Sequence, residues 1–265
     1  MAQKEELEMC EDMTGLMKGF TPYGFSVVVK FGGSLMRDLA VCKAAVAELE
    51  RISRSGHRIL VVPGGGLPDK AIESVDATHR LAPSTAHHAC ALAQDQTGYL
   101  LADPAFSSEF VSCSTLGECR TLASQGKIPI LLPSRILFAM DPVEWSWTIT
   151  SDAVAAWIAW VTDTPRLAIF TNVDGVYRDA ATDDPNALIQ DIAAYELSLL
   201  GHTSIDACAA GFMAEKRIAG CVLNGSHPRR LADWLEGKSV TATNIRTSQK
   251  VGGFAAPCEI SGAAS

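Results

Sequence analysis

The sequence is 265 residues long, 48% hydrophobic and 20% charged, with a formal net charge of −8. This is an ordinary globular composition, sufficient for one large α/β domain or two small ones. The acidic balance argues against a general nucleic-acid-binding protein, whose surface is normally basic, but a nucleotide needs only a few local cations and backbone N–H groups.

The same numbers exclude several other classes of protein. No run of 18 apolar residues is present, so we expect no membrane-spanning helix and no membrane partner. The eight cysteines are scattered and lack the spacing of zinc sites or of a disulfide framework, so we expect reduced thiols and a cytoplasmic location. Residues 1–25 are acidic, lack an apolar signal core and are assigned as an N-terminal extension. Residues 246–265, rich in small residues, are assigned as a C-terminal tail.

The first third of the domain alternates buried strands with helices. SVVVKF, at 26–31, predicts a fully buried strand that ends at two glycines, and 39–54 predicts an amphipathic helix. RILVVP, at 58–63, predicts a second buried strand, followed by three glycines and a helix from about residue 68 to 75. Residues 84–102 carry a stripe of small residues that suits a subunit contact and internal packing equally well.

The remaining elements continue the alternation. We predict strands at 109–113, 127–133, 166–171 and 220–225, an edge strand at 239–245, an irregular loop at 134–150, and helices at 116–124, 151–161, 193–200, 205–215 and 227–236. Continuous apolar strands between helices predict a mostly parallel sheet covered on both faces, in one α/β domain at 26–245.

Two glycine-rich stretches follow the first two strands. In KFGGS, at 30–34, the glycines would let backbone N–H groups approach a phosphate without hindrance from Cβ. Lys30 would lie at the carboxyl end of its strand, where ligands of open α/β sheets bind, although a plain turn with a solvent lysine explains this stretch equally well. PGGG, at 63–66, strengthens the phosphate interpretation, because three glycines are excessive for a simple turn. Neither stretch is a P-loop or a dinucleotide fingerprint.

Two further stretches, TITSDAVAAW and TNVDGVYRD, are predicted to lie at the same carboxyl edge of the sheet as Lys30. In TITSDAVAAW, Thr150 or Ser151 is a natural helix N-cap, and Asp152 in the first turn complements the helix dipole. The functional alternative is that the two hydroxyls bind an acceptor phosphate while Asp152 pairs with Lys30. TNVDGVYRD places a turn after another buried strand, where Asp174 could orient the nucleotide or the lysine, unless the turn is only structural.

Together these four stretches resemble the amino acid kinase family, which includes carbamate, acetylglutamate, aspartate and uridylate kinases. The resemblance covers about residues 26–245. It implies a three-layer α/β/α sandwich with a mostly parallel central sheet, ATP with Mg²⁺, and phosphoryl transfer to a carboxylate, carbamate or phosphate. We also expect a small-molecule phosphate substrate and a homo-oligomer.

The resemblance assigns roles residue by residue. Lys30 would stabilise the transferring phosphoryl group and Asp152 would organise that lysine; no protein side chain is assigned as a metal ligand. The residues assigned to ATP are Gly32, Gly33, Ser34, Thr171, Asp174, Gly175 and Tyr177. The residues assigned to the acceptor are Gly64, Gly65, Gly66, Thr150 and Ser151.

The sequence also departs from the family pattern. Several relatives carry a second catalytic lysine, but Lys216 lies too close to Asn224 to match it, and Asp206 sits where some phosphate-accepting members have an aspartate. VVPGGG, LLP and W-x-x-T-S-D-x-x-A-A-W are similar to kinases of methanofuran-type cofactor synthesis, which convert an aminomethyl-furanmethanol phosphate into its diphosphate. On that interpretation Trp145 or Trp147 could stack on the acceptor, or simply pack a loop.

Two other functions remain open from the sequence. One is a kinase that forms an acyl phosphate on an amino-acid carboxylate, against which the missing second lysine counts. The other is a non-catalytic nucleotide-binding or oxyanion-storage protein of the same fold. Retention of both Lys30 and Asp152 favours catalysis.

Overall fold

The computed structural model describes residues 23–178 and 184–247. Most of the predicted N-terminal extension and all of the tail beyond residue 247 therefore lie outside the described residues, and the division into extension, domain and tail stays a prediction. The strands of the described part are β1 Val27–Phe31, β2 Ile59–Pro63, β3 Phe110–Cys113, β4 Ile128–Leu131, β5 Arg166–Thr171, β6 Asp191–Ala193, β7 Ala219–Asn224 and β8 Thr243–Arg246.

Helices connect nearly all of these strands. They are α1 Leu39–Arg54, α2 Gly66–His79, α3 Pro83–Leu101, α4 Leu116–Ser124, α5 Ser134–Met140, α6 Ser151–Val161, α7 Ala194–Ser198, α8 Ala207–Lys216 and α9 Arg229–Leu235. Short 3₁₀ helices occupy Gly33–Arg37 and Pro185–Ala187. No helix within the described ranges is long and apolar enough to cross a bilayer.

The strands form one sheet in the order β3-β4-β2-β1-β5-β7-β8-β6. The six strands from β3 to β7 in this order are parallel, β8 runs antiparallel to β7, and β6 runs parallel to β8. Phe31 at the end of β1 is in register with Pro63 of β2 and Phe170 of β5. The carboxyl ends of the three central strands therefore meet at one edge.

The sheet separates two apolar cores. Val28 on β1 packs on the face covered by α6, whereas Val27 and Val29 pack on the face covered by α1 and α9. Full burial of each such side chain contributes about 1.5–3 kcal/mol, which explains why the strands are apolar on both faces. The predicted three-layer α/β/α sandwich with a mostly parallel sheet is confirmed.

Two predicted elements were wrong. The first seven residues of the predicted irregular loop at 134–150 form α5, which buries Leu137 and begins where the Ser134 N–H donates to Asp95 Oδ1 at 3.1 Å. The predicted edge strand at 239–245 corresponds to β8, which lies inside the sheet. The edge is β6, whose three residues are too few to give a periodic pattern.

Candidate active site

The two glycine-rich stretches contact each other at the carboxyl edge of the sheet. The Gly32 N–H donates to Phe170 O at 2.7 Å, and the Gly64 N–H donates to Phe31 O at 2.9 Å. A Cβ on Gly33 would overlap the backbone of Gly66. The close approach of the two loops therefore requires glycine at position 33.

Lys30 meets Asp152 at this edge. Their Nζ and Oδ1 atoms are 2.8 Å apart, and the side chains are 13% and 8% exposed. The contact is ionic rather than an aligned hydrogen bond, because Asp152 Oδ1 is buried without a well-oriented donor among the described residues. A Cβ placed on Gly64 would lie 3.4 Å from Ser151 Oγ and 3.5 Å from Lys30 Cε. The structure thus brings together the first three sequence stretches at one point.

A second carboxylate supports the start of α6. The Thr150 hydroxyl accepts from the Asp152 N–H at 3.2 Å and donates to Asp206 Oδ2 at 2.7 Å. Asp206 is 1% exposed and also accepts from the Ala209 N–H, as the N-cap of α8. Burial, and then the negative charge of Asp152, raise the pKa of Asp206, while its hydrogen bonds oppose the rise. Thr150 therefore links the backbone of Asp152, the partner of Lys30, to the buried carboxylate of Asp206.

A cavity of about 820 Å³ opens beside Lys30. Thr150 and Ser151 line it at the start of α6, and Trp145 and Trp147 line it from the segment before that helix. Its other charged or titratable lining residues are Asp69, Lys70, Glu73, Asp76, Arg80, His87, Cys90 and His202. It is large enough for a small organic phosphate with a ring.

The environment of this first cavity shifts several pKa values. Burial is the main cause of the raised pKa of Asp69, and burial together with a hydrogen bond to Asp69 raises that of Cys90. Burial and the neighbouring His88 lower the pKa of His87. The His88 ring meets the ring of Trp145 with centroids 5.8 Å apart, and the Trp145 indole donates to Asp141 Oδ1 at 2.9 Å.

A second cavity, of about 690 Å³, lies beyond the end of β5. Thr171, Gly175 and Tyr177, all assigned from the sequence, line it. The residues that sequence reasoning did not assign are Asn172, Val173, Arg178, Ile189, Leu200, His202, Thr203 and Ser204. Four of these eight, Leu200, His202, Thr203 and Ser204, come from the connection between α7 and α8, which has no periodic or glycine-rich signal. Gly32, Gly33 and Ser34 lie at the end of β1, outside the lining of both cavities.

Asp174 points away from the second cavity. Its Oδ1 accepts from Asn224 Nδ2 at 3.0 Å and from Arg230 Nη1 at 2.6 Å. Partial burial would raise its pKa, but these bonds and the charge of Arg230 outweigh it and lower the pKa. The carboxylate ties the turn after β5 to the end of β7 and to α9. Its assigned role toward the nucleotide stays a prediction.

Lys216, the one candidate for a second family lysine, lies elsewhere. It ends α8, with its Nζ 4.7 Å from the Trp160 ring centroid and 2.9 Å from Glu215 Oε1. Trp160 is near the far end of α6, about 12 Å from Asp152 by helical rise. Lys216 lines neither cavity. Among the residues placed by the structure, no three His, Cys, Asp or Glu side chains form a metal site.

Comparison with known proteins decides the family. The family model for the amino acid kinase family matches residues 26–224. The chain belongs to the amino acid kinase family. As a member it is a kinase, a phosphotransferase enzyme, and the resemblance stated from the four sequence stretches is confirmed.

Individual relatives add detail. The chain is 30% identical over 225 residues to the [5-(aminomethyl)furan-3-yl]methyl phosphate kinase of Methanocaldococcus jannaschii, covering 84% of this chain and 99% of that protein. It is 26% identical over 234 residues to the uridylate kinase of Natronomonas pharaonis, covering 81% and 96%. The crystal structure of uridylate kinase from Archaeoglobus fulgidus superposes with a TM-score of 0.65 at 20% identity, covering 83% of this chain and all of that one. At 20% sequence identity, the structural match to the Archaeoglobus fulgidus enzyme supports the fold of this amino acid kinase and nothing further.

Proposed function

We propose that this amino acid kinase transfers the γ-phosphoryl group of ATP to a small phosphomonoester and forms a diphosphate. The observation that carries the proposal is the Lys30–Asp152 pair, 2.8 Å apart, at the edge where the two glycine loops contact each other, with Lys30 lining a cavity of suitable size. Phosphoryl transfer requires positioning and neutralisation of charge more than covalent chemistry, and an anionic acceptor requires no catalytic base.

The residues present fit a nucleotide phosphate chain. The Gly33 loop approaches the Gly66 loop so closely that a Cβ has no room. The glycines of these loops carry no Cβ that would keep a phosphate from a backbone N–H group. Thr171, Gly175 and Tyr177 would bind the nucleotide in the second cavity. Mg²⁺ would be held by phosphate oxygens, with Asp152 as a nearby carboxylate, and would supply further neutralisation of the phosphate charge.

Chain residues carry the transfer itself. Lys30 stabilises the charge that develops on the transferring group, and Asp152 holds the lysine in place. Thr150 and Ser151 hold the acceptor phosphate in the first cavity, beside the Gly64–Gly66 loop. Together these contacts place the acceptor oxygen in line with the donor phosphate.

We infer further that the acceptor is an aminomethyl-furanmethanol phosphate of methanofuran-type cofactor synthesis. Trp145 and Trp147, 44% and 45% exposed at the cavity, suit a flat ring. The carboxylates of Asp69, Glu73 and Asp76 on the same cavity suit a protonated amine. The relative from Methanocaldococcus jannaschii, whose name states this substrate, supports the same choice.

A panel of acceptors tests the proposal. ATP consumption and diphosphate formation are followed by ³¹P NMR with aminomethyl-furanmethanol phosphate, benzyl phosphate, UMP and N-acetylglutamate. We expect diphosphate formation with the furan phosphate at a kcat/KM at least about tenfold above the others, a difference of about 1.4 kcal/mol in transition-state binding. A preference for the carboxylate, or nucleotide binding without ATP consumption, contradicts the proposal.

We also infer a cytoplasmic homo-oligomer. The described cysteines, Cys42, Cys90, Cys113, Cys119, Cys208 and Cys221, are all free thiols, as a reducing compartment requires. Helix α3 exposes Leu92, Tyr99 and Leu100 beside its small residues, and a second copy of the chain would cover them.

A further inference from the structure

Lys30 alone leaves the transfer site short of positive charge. Its ammonium is matched by Asp152 at 2.8 Å, and Asp206 adds a second carboxyl group behind that pair. The phosphoryl donor and a phosphomonoester acceptor both bring negative charge, and transfer between them depends on cations and N–H donors aimed at the reacting group. Lys216 supplies none, because it packs over Trp160 and pairs with Glu215.

His202 occupies the place where such a donor is needed. Of the residues that the structure describes, it is the one that lines both cavities. It is exposed, and it lies between α7 and α8 in a segment with no Lys, Arg, Asp or Glu before Asp206. Lys30 lines the first cavity from the sheet, whereas His202 lines both cavities from this connecting segment.

The segment that carries His202 is fixed to both subsites. Ser204 Oγ donates to Gly175 O, in the lining of the second cavity, at 2.9 Å. At the other end Asp206 accepts from the Thr150 N–H at 3.2 Å and from its hydroxyl at 2.7 Å, and Thr150 lines the first cavity. Thr203 Oγ1 donates to Ile205 O at 3.0 Å and stiffens the chain between these anchors. The backbone beside His202 is therefore held in a defined position across the two cavities.

We propose that His202 is a catalytic residue that donates a hydrogen bond from an imidazole N–H to the transferring phosphoryl group, as a second donor in addition to Lys30. The proposal rests on the proposed kinase function. In the transfer, an acceptor oxygen forms a bond to the γ-phosphorus, and the bond from that phosphorus to the β,γ-bridging oxygen breaks. ADP leaves with the electron pair, and His202 keeps its proton throughout.

Substitution with rescue tests this role. We expect His202→Ala to lower kcat about 100-fold, the effect of removing one donor to transition-state charge, with the nucleotide Kd from calorimetry changed by less than about threefold. The kcat of His202→Lys, and that of His202→Ala with added imidazole, should each be at least about tenfold above the kcat of His202→Ala alone. The matched control is His57→Ala, which removes a partly exposed histidine just before β2, at the opposite edge of the sheet, and should leave kcat unchanged.

The outcomes separate this proposal from the proposed function. The wild-type enzyme is assayed first with the acceptor panel, and the variants are then assayed with whichever acceptor it uses, or with water in ATP hydrolysis if it uses none. A kcat for His202→Ala within about threefold of wild type overturns the role of His202 whichever acceptor is used. The role of His202 is also overturned if His202→Ala lowers kcat, neither His202→Lys nor added imidazole restores it, and the nucleotide Kd rises by the same factor. If the wild-type protein cleaves no ATP, either with the organic acceptors or with water, both the proposed kinase function and the proposed role of His202 are overturned.

Discussion

Lys30 and Asp152 form a pair that stability alone does not explain. Both side chains are largely buried, at 13% and 8% exposure. The free-energy cost of desolvating two charges is commonly as large as the stabilisation from their attraction. A protein with two apolar side chains of similar volume at these positions would therefore often be equally stable. A buried pair at a strand's carboxyl end, with its lysine lining a cavity, is a candidate for a catalytic role.

At the residue scale we predict that Lys30→Ala lowers kcat at least about 100-fold, the scale of losing one transition-state charge contact. Removal of one partner leaves the buried Asp152 charge unpaired, which costs about 3–5 kcal/mol. The double variant Lys30→Met, Asp152→Asn removes both charges and should stay folded by circular dichroism while equally inactive. Lys43→Ala, on exposed α1 surface, is the control. Nearly normal turnover in the folded double variant would show that the assigned role is wrong.

Residue types alone predicted which positions carry polar groups, but not which partners those groups choose. The hydroxyl and carboxyl groups of TITSD were expected to cap a helix and meet Lys30, and the structure places them there. The role of Asp174 toward the nucleotide stays a prediction, and the sequence did not indicate that its carboxylate pairs with Arg230, 56 residues further along the chain. No local pattern signals a contact between groups so distant in sequence.

At the element scale, parallel pairing explains why the candidate site could be predicted. The strands β1, β2 and β5 are apolar and parallel, so the residues after each one meet at a single edge whatever the detailed loop geometry. The missed elements, α5 and β6, have seven and three residues, too short for periodicity to distinguish from loop. Half of the unassigned residues of the second cavity lie in the segment at 200–204, which forms no apolar strand and follows none.

The contact between the two glycine loops gives a prediction at the same scale. Gly33→Ala should push the loops apart, because its Cβ would overlap the backbone of Gly66, which cannot move like a flexible side chain. We expect kcat/KM for ATP to fall at least about tenfold and the free energy of unfolding in urea to fall by about 1–3 kcal/mol.

Gly117→Ala is the matched control for this substitution. Gly117 lies in the first turn of α4, and a Cβ there meets nothing within 4 Å. The substitution should leave activity unchanged and stability equal or higher by up to about 1 kcal/mol. Equal activity of both variants would mean that the close approach at Gly33 has no part in nucleotide binding.

At the scale of the whole molecule, the sheet reverses direction after β7, and the reversed strand supports two residues that line the second cavity, Gly175 and Ile189. β8 returns antiparallel to β7 and carries Thr243 under the turn that follows β5. The Thr243 hydroxyl accepts from the Val176 N–H at 2.7 Å and donates to Ile189 O at 2.6 Å. One buried hydroxyl therefore joins three separate segments. The position of β8 inside the sheet depends on this long-range pairing, which explains why its sequence suggested only an edge strand.

This arrangement predicts that Thr243 couples global stability to nucleotide binding. Thr243→Val keeps the shape but leaves the Val176 N–H and Ile189 O without their partner, at a cost of about 2–4 kcal/mol in urea-induced unfolding. Because Ile189 and the neighbouring Gly175 line the second cavity, the KM for ATP should rise several-fold while kcat at saturation changes less. Thr243→Ser keeps the hydroxyl and loses only a methyl group, so it should cost about 1 kcal/mol and leave the KM near wild type. The prediction is wrong if Thr243→Val and Thr243→Ser give the same free energy of unfolding and the same KM for ATP. In that case β8 would pack in the sheet without positioning the cavity, and only residues that follow β5 would bind the nucleotide.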